Sequence, residues 1–225
     1  MPTRKIPFIT NEYYHIYNRT IDKVLSYKRK RDYQRFVLTL QYYMHCGLQT
    51  RLSKYLQLNV KEKQSIFAKL TTTAQKHVVI LSFCLMPNHF HVLLKQTSPD
   101  GITKFMSQLQ NSYTRYFNTK YRRLGPLFLD QFGAVRIEKD EQLLHVHRYI
   151  HLNPYSSFIV KSLDGLLVYE WSSLKEYINQ DAKLCVTDDI LSYFKDKKHY
   201  LEFILDQADY QRKLKQIEHL LLERD

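Results

Sequence analysis

Cys84-Leu85-Met86-Pro87-Asn88-His89-Phe90-His91-Val92-Leu93-Leu94-Lys95-Gln96 is the stretch from which the fold can be read. Both flanks are apolar and partly β-branched, and Pro87-Asn88 between them is a turn signal, so the run predicts a hairpin. Its first arm is Val78 to Met86 and its second is His89 to Gln96. Side chains two apart on a strand point to the same face. His89 and His91 therefore stand side by side, and Phe90 turns to the opposite face. Imidazoles about 6–7 Å apart at their Cα atoms can grip one divalent ion. The same spacing also serves two histidines on a solvated face, and the rest of the chain must choose between them.

Working outward, Tyr13-Tyr14-His15-Ile16-Tyr17-Asn18 predicts a first strand. Phe36, Val37, Leu40, Tyr43 and Met44 recur at helical spacing over residues 31–45. Residues 46–76 are polar, lysine-rich and less periodic, and read as an excursion with some helix, outside the core. After the hairpin, Ile102, Phe105, Met106, Leu109, Tyr113, Tyr116 and Phe117 form one stripe of a helix over 102–118. A further strand pair, or one strand bent around Gly133, fits 127–137. Asp140 is placed to cap a helix from about Glu141 to Asn153, stopped before Pro154. The order strand, helix, strand, strand, helix, strand resembles a split βαβ unit. The fold class expected is α+β: a ferredoxin-like antiparallel sheet with helices on one face, followed by a helical C-terminal extension.

Charge narrows the partner. The chain has 225 residues, 34 Lys and Arg against 22 Asp and Glu, and a formal net charge of +12. Such an excess points to a polyanion. Eighteen tyrosines accompany it, and aromatic faces that stack on bases beside cations that track phosphates suit single-stranded nucleic acid. Between Gly101 and Leu129 there is no acidic residue, whereas Lys104, Arg115, Lys120, Arg122 and Arg123 are basic, which suits a phosphate backbone. In contrast, 201–225 carries six acidic residues and four Lys or Arg. Its Leu201, Ile204, Leu205, Leu214, Ile217, Leu220 and Leu221 predict one amphipathic helix that packs on the body or on a partner and is not a nucleic-acid surface.

Other classes are excluded. No apolar run approaches the roughly 18 residues of a membrane span, and the opening residues lack a signal-peptide core. Three scattered cysteines, Cys46, Cys84 and Cys185, show no finger spacing and make a disulfide framework unexpected. The expected location is the cytoplasm. No internal repeat is present.

The helix over 141–153 carries the other chemically suggestive residues. His145, Tyr149 and Asn153 are spaced by four and share a stripe beside the core residues Leu143, Val146 and Ile150. His145 and His147 point about 200° apart on a helix and cannot share an ion. His147 and His151 are correctly spaced for zinc, but no convincing set of further ligands accompanies them.

Taken together, three blocks resemble the signatures of the REP-associated tyrosine transposases, within the single-tyrosine HUH nuclease superfamily (U is a hydrophobic residue). They are Tyr14-His15-Ile16-Tyr17-Asn18-Arg19, Met86-Pro87-Asn88-His89-Phe90-His91 and Tyr149-Ile150-His151-Leu152-Asn153-Pro154. The resemblance runs in order over roughly residues 8–175. It implies a catalytic domain at 1–160, with 46–76 an insertion, and a helical C-terminal extension at 161–225, of which 176–225 is not part of the shared blocks. It also implies Mg²⁺ or Mn²⁺ held by His89, His91 and the amide of Asn153, with Tyr149 as nucleophile. The implied activity is cleavage and rejoining of single-stranded DNA at hairpin (palindromic) elements through a 5′-phosphotyrosine. A phenol, with a pKa of about 10, is a weak nucleophile at neutral pH and needs such electrophilic help. Tyr113 and Tyr116 are rival nucleophiles. A non-catalytic or domesticated nucleic-acid-binding protein is the alternative, and an RNA-processing metalloenzyme a weaker one. The blocks leave monomer or homodimer open.

Overall fold

The computed structural model describes residues 7–72 and 75–222. The opening residues 1–6 and the side chains of Ile217, Leu220 and Leu221 lie outside what is described. Four strands, β1 (Tyr13–Arg19), β2 (Val78–Met86), β3 (His89–Gln96) and β4 (Gly133–Ile137), form one sheet in the order β2-β3-β1-β4, each neighbouring pair antiparallel. β1 is thus parallel to β2, and β3 to β4, each with one strand between them. Two βαβ crossovers interleave, which is the expected ferredoxin-like arrangement.

The crossover helices are α1 (Lys30–Tyr43) and α4 (Gly101–Tyr121). Both pack on the sheet face that carries Phe90, whose ring lies 5.0 Å from Phe36 of α1, itself 4.9 Å from Tyr113 of α4. Buried Asp32 of α1 ties the two helices together. It accepts from Tyr116 Oη at 2.8 Å, Lys120 Nζ at 2.6 Å and Tyr121 Oη at 2.6 Å, and also from the backbone N–H groups of Lys28 and Arg29. Burial alone would raise its pKa, but these donors outweigh that and hold it below the ordinary carboxylate value.

The opposite face, to which His91 turns, is covered by a third layer. Helix α5 (Asp140–Ser156) crosses it and is in turn packed by the C-terminal extension. The extension holds α6 (Leu163–Leu167), α7 (Leu174–Asn179), α8 (Asp188–Leu191), α9 (Lys197–Asp206) and α10 (Ala208–Leu222). Trp171 to Ser173 run antiparallel to the outer edge of β2: Leu85 N–H donates to the Trp171 carbonyl at 2.8 Å and Ser173 N–H to that of Phe83 at 3.0 Å. An edge strand that would otherwise offer unpaired backbone groups is closed in this way.

Several local expectations change. Helix α5 starts at Asp140, so Lys139, not Asp140, holds the cap position, with no side-chain capping bond from it. Pro154 lies inside α5, not beyond it. Its missing N–H removes one bond in the last turn. The turn closes nonetheless, because Ser157 N–H reaches the Asn153 carbonyl at 2.9 Å and buried Leu152 and Tyr155 hold it against the body. Only 133–137 of the span 127–137 forms a strand; Phe128 makes a single bridge to Thr20. The terminal amphipathic stretch is two helices broken at Gln207, and Leu214 is exposed. The excursion contains α2 (Leu52–Tyr55) and α3 (Val60–Thr72), and its ends meet where Cys46 N–H donates to the Gln75 carbonyl at 2.8 Å. It does not lie wholly outside the core, since Leu52 is fully buried and Leu70 nearly so.

Candidate active site

Strand alternation sends His89 and His91 to the α5 side of the sheet, and the antiparallel register lines up their neighbours. Arg19 pairs with His89, Tyr17 with His91, and Gly133 of β4 with Tyr17. The rings of His89 and His91 lie 5.2 Å apart at 87°. His89 Nδ1 is 2.7 Å from Asn88 Oδ1 in the hairpin turn. An amide oxygen can only accept, so Nδ1 carries the proton and the Nε2 lone pair is left available. His91 Nδ1 is 3.0 Å from His15 Nε2 on β1, and the His91 Nε2 lone pair is available when Nδ1 is the donor of that bond.

Tyr149 of α5 completes the group. Its ring is 5.6 Å from that of His91, edge-on at 89°, and 6.1 Å from that of His15. His89, His91 and Tyr149 open onto a cavity of about 560 Å³, whose lining among the described residues contains Arg19, Lys23 and Lys215 and no carboxylate. Lys215 comes from α10, so the extension, expected to pack on the body or on a partner, reaches the cavity and contributes a cation to its lining. The cavity is therefore suited to an anion.

The histidines are neutral at pH 7. Burial pushes His15 down to about 4, and burial with the nearby Lys215 charge does the same to His89. His91 falls well below its ordinary value through burial first, then through His15, His89 and Lys215. Neutral imidazoles with free Nε2 atoms are the form that binds a cation. Among the described residues there is no group of three or more His, Cys, Asp or Glu side chains placed to hold a metal. The donor set at this place is thus two imidazole nitrogens plus whatever amide or phosphate oxygens join them.

Asn153 lies one turn beyond Tyr149 and is 1% exposed, but it is not part of the cavity lining. Its Oδ1 accepts from Ser157 Oγ at 3.2 Å, while its buried Nδ2 has no partner. A buried amide group left unpaired costs about 1–3 kcal/mol. Turning the amide over keeps the Ser157 bond, with nitrogen donating, and presents an oxygen where the unpaired atom now stands. The residue thus fits a ligand's chemistry without lying at the cavity wall.

The competing residues are accounted for elsewhere. His145 is exposed, with Nδ1 2.7 Å from Arg148. His147 and His151 are fully buried beneath the extension: His147 Nε2 meets Tyr200 Oη at 3.0 Å and His151 Nε2 meets Ser173 Oγ at 2.8 Å. They are packing histidines. Tyr113 donates to the Ser26 carbonyl at 2.6 Å and Tyr116 to Asp32, both on the far side of the sheet from His89 and His91.

That far side holds the basic residues. Arg115, Lys120, Arg122 and Arg123 line a broad cleft of about 1830 Å³ between α4 and residues 48–57, joined there by Arg35 and Arg51 and, among the described residues, by no acidic side chain. Lys104 does not line it. Lys120 is already paired with Asp32. Arg35 and Arg51 escape sequence reasoning because they lie in other segments, as does Lys215. His15 and Tyr17 were detectable, since they alternate on β1 within one of the three signature blocks.

The sequence model of the family described as IS200-like transposase matches residues 40–153, just over half of the chain. Among curated proteins, none matches. Among solved structures, one described as "Structure of the REP associates tyrosine transposase bound to a REP hairpin" aligns over 81% of this chain and 88% of its own, at 12% identity and a TM-score of 0.51. At that identity the likeness is one of fold.

Proposed function

The chain belongs to the IS200-like transposase family, and from that premise we propose that it cuts and rejoins single-stranded DNA beside hairpin elements, using Tyr149 as nucleophile and a divalent ion, Mg²⁺ or Mn²⁺, held by Nε2 of His89 and of His91 and by the Asn153 amide. The observation that supports this most is the meeting of Tyr149 with the histidine pair, ring to ring at 5.6 Å, in a cavity lined by cations. The solved neighbour's REP hairpin and the shared fold support the choice of DNA.

The Tyr149 hydroxyl attacks the scissile phosphorus. A bond forms from the phenolic oxygen to phosphorus, and the bond from phosphorus to the 3′-oxygen breaks. The phenol gives up a proton and the departing 3′-oxygen takes one up, so the products are a 5′-phosphotyrosine and a free 3′-hydroxyl. The ion, when bound, polarises the phosphate and offsets its developing charge. Arg19, Lys23 and Lys215 hold the phosphate from the cavity walls. The covalent link keeps the energy of the broken bond, so a second 3′-hydroxyl can reverse the step without ATP.

Binding and chemistry then use opposite sides of the sheet. The α4 cleft, with Arg115, Arg122 and Arg123 as its main cations and Lys120, paired with Asp32, as a lesser one, takes the phosphates of the hairpin, while the strand to be cut reaches the Tyr149 cavity. Residues 1–160 form the catalytic unit, with 46–76 as an insertion that walls the cleft and 161–225 as an extension that closes α5 and the β2 edge. Because His89, His91 and Tyr149 come together within one chain, a monomer suffices. The test is a denaturing gel of protein incubated with a labelled hairpin-flanked oligonucleotide and Mn²⁺. A covalent band is expected, mapping to Tyr149 and absent in Tyr149→Phe. Binding without any band in the wild type would instead support the non-catalytic reading.

A further inference from the structure

We propose that His15 is the positioning residue of the metal site, holding His91 in the tautomer and orientation that turn its Nε2 to the ion. This rests on the reading of His89 and His91 as ligands. His15 sits on β1 two residues before Tyr17, the register partner of His91, and so lies diagonally across from His91 on the same face. Its Nε2 is 3.0 Å from His91 Nδ1, and the two rings overlap at 5.2 Å. One proton must lie between those nitrogens. If His91 gives its Nε2 lone pair to an ion, Nδ1 is the donor and His15 Nε2 the acceptor.

His89 is served in the same way by a different residue, since its Nδ1 bonds Asn88 Oδ1 at 2.7 Å. With His91 as donor to His15, both members of the pair have Nδ1 held by an acceptor and Nε2 turned to the ion. Residues that fix a ligating imidazole through its second nitrogen are a recurring need of metal sites. The acceptor here is a neutral imidazole and not a carboxylate, and the cavity explains why. Its walls carry Arg19, Lys23 and Lys215 with no acid among the described residues. A carboxylate at position 15 would grip His91 harder but would set a negative charge beside the phosphate the site must receive. An imidazole orients the ring without that repulsion. His15 also meets Tyr149 ring to ring at 6.1 Å, so one side chain braces both the ligand and the nucleophile.

The experiment is Mn²⁺ binding to the full chain without DNA, followed by electron paramagnetic resonance, for wild type, His15→Phe, His15→Gln and His89→Ala. His15→Phe keeps a ring and loses the acceptor, and should weaken binding by about 10–100-fold. His15→Gln restores an acceptor near the place of Nε2 and should bind close to wild type, which a purely structural role for the ring does not foresee. Adduct formation by His15→Phe should climb towards the wild-type plateau as Mn²⁺ is raised. If His15→Phe does not fold, His15→Leu takes its place. Wild-type affinity in the Phe or Leu variant, alongside lost binding in His89→Ala, overturns the role of His15 alone. Unchanged affinity in His89→Ala, or no Mn²⁺ binding by the wild type, overturns the metal site and this inference with it.

Discussion

Adding one methyl group at Gly133 should silence the site while leaving the fold almost untouched. Gly133 faces Tyr17 across the β1–β4 ladder, and the Tyr17 ring lies directly over it. A Cβ built at 133 overlaps three ring carbons of Tyr17, the least crowded, Cε1, at 2.6 Å. Ordinary carbon contact begins at about 3.5 Å, and the nearer ring carbons lie closer still than Cε1, so the ring must retreat by more than about 1 Å. The same ring stands 5.9 Å from that of His91 and 5.2 Å from that of His15, and moving it reshapes the cavity wall. Tyr17 is 41% exposed, so it can tilt without opening a hole in the core. An off-rotamer side chain costs about 0.5–1.5 kcal/mol, and replacing a strand glycine by alanine returns about 0.5–1 kcal/mol of that. The net change in unfolding free energy should therefore lie within about 1 kcal/mol. A displacement of about 1 Å in a positioned site can slow reaction by about 10²-fold. The assay is single-turnover adduct formation with Mn²⁺, paired with urea unfolding, for Gly133→Ala, Tyr17→Ala and the double variant. In the Tyr17→Ala background the glycine substitution should have no further effect. A wild-type rate in Gly133→Ala, or an equal loss with and without the Tyr17 ring, refutes the reasoning.

Three further outcomes follow from the packing and the charges. Asp32→Ala removes the shared acceptor of three side-chain and two backbone donors and unties α1 from α4, and should lower unfolding free energy by about 1.5–3 kcal/mol; a loss under about 1 kcal/mol in urea unfolding would count against the hub. Arg115→Gln, Arg122→Gln and Arg123→Gln should each reduce the slope of log affinity against log salt by about 0.7–0.9, whereas Lys104→Gln, outside the cleft, should leave it unchanged; equal effects from all four would dissolve the cleft as a binding surface. Acid should destabilise the protein through His147 and His151. Burial holds His151 down to about 3 and His147 well below its ordinary value, so the unfolded chain takes up protons below about pH 6.5 that the folded chain refuses. Their stabilisation is complete above that pH and declines as pH falls below it, by about 2 kcal/mol for His151 at pH 5, with His147 adding in the same direction. A melting temperature flat between pH 7 and 5, or a fall undiminished in His147→Phe, would count against it.

What could be seen in the sequence was whatever depends on short-range period. The turn at Pro87-Asn88, the strands beside it and the α4 stripe follow from alternation and helical spacing, and they determine the interleaved sheet. So does the separation of Phe90 from His91, neighbours in sequence that face different layers: Phe90 packs under α1 and α4, while His91 meets Tyr149. Features made by distant segments were not visible. No local pattern tells that Lys215 returns to the cavity of His89, that Arg35 and Arg51 join the α4 cations, or that Trp171 to Ser173 seal β2. Pro154 misled because a proline ends a helix by propensity, whereas here buried Leu152 and Tyr155 on either side carry the helix one turn further. Charge counting misled at Lys120 because it does not show that Asp32, far away in sequence, has already taken that ammonium. The same limit applies to His15: its place in a signature block is visible in the sequence, but its contact with His91 is not. Its chemistry exists only through the register that brings β1 beside β3, and a slip of one residue would turn it to the other face with Phe90 and leave His91 without its acceptor.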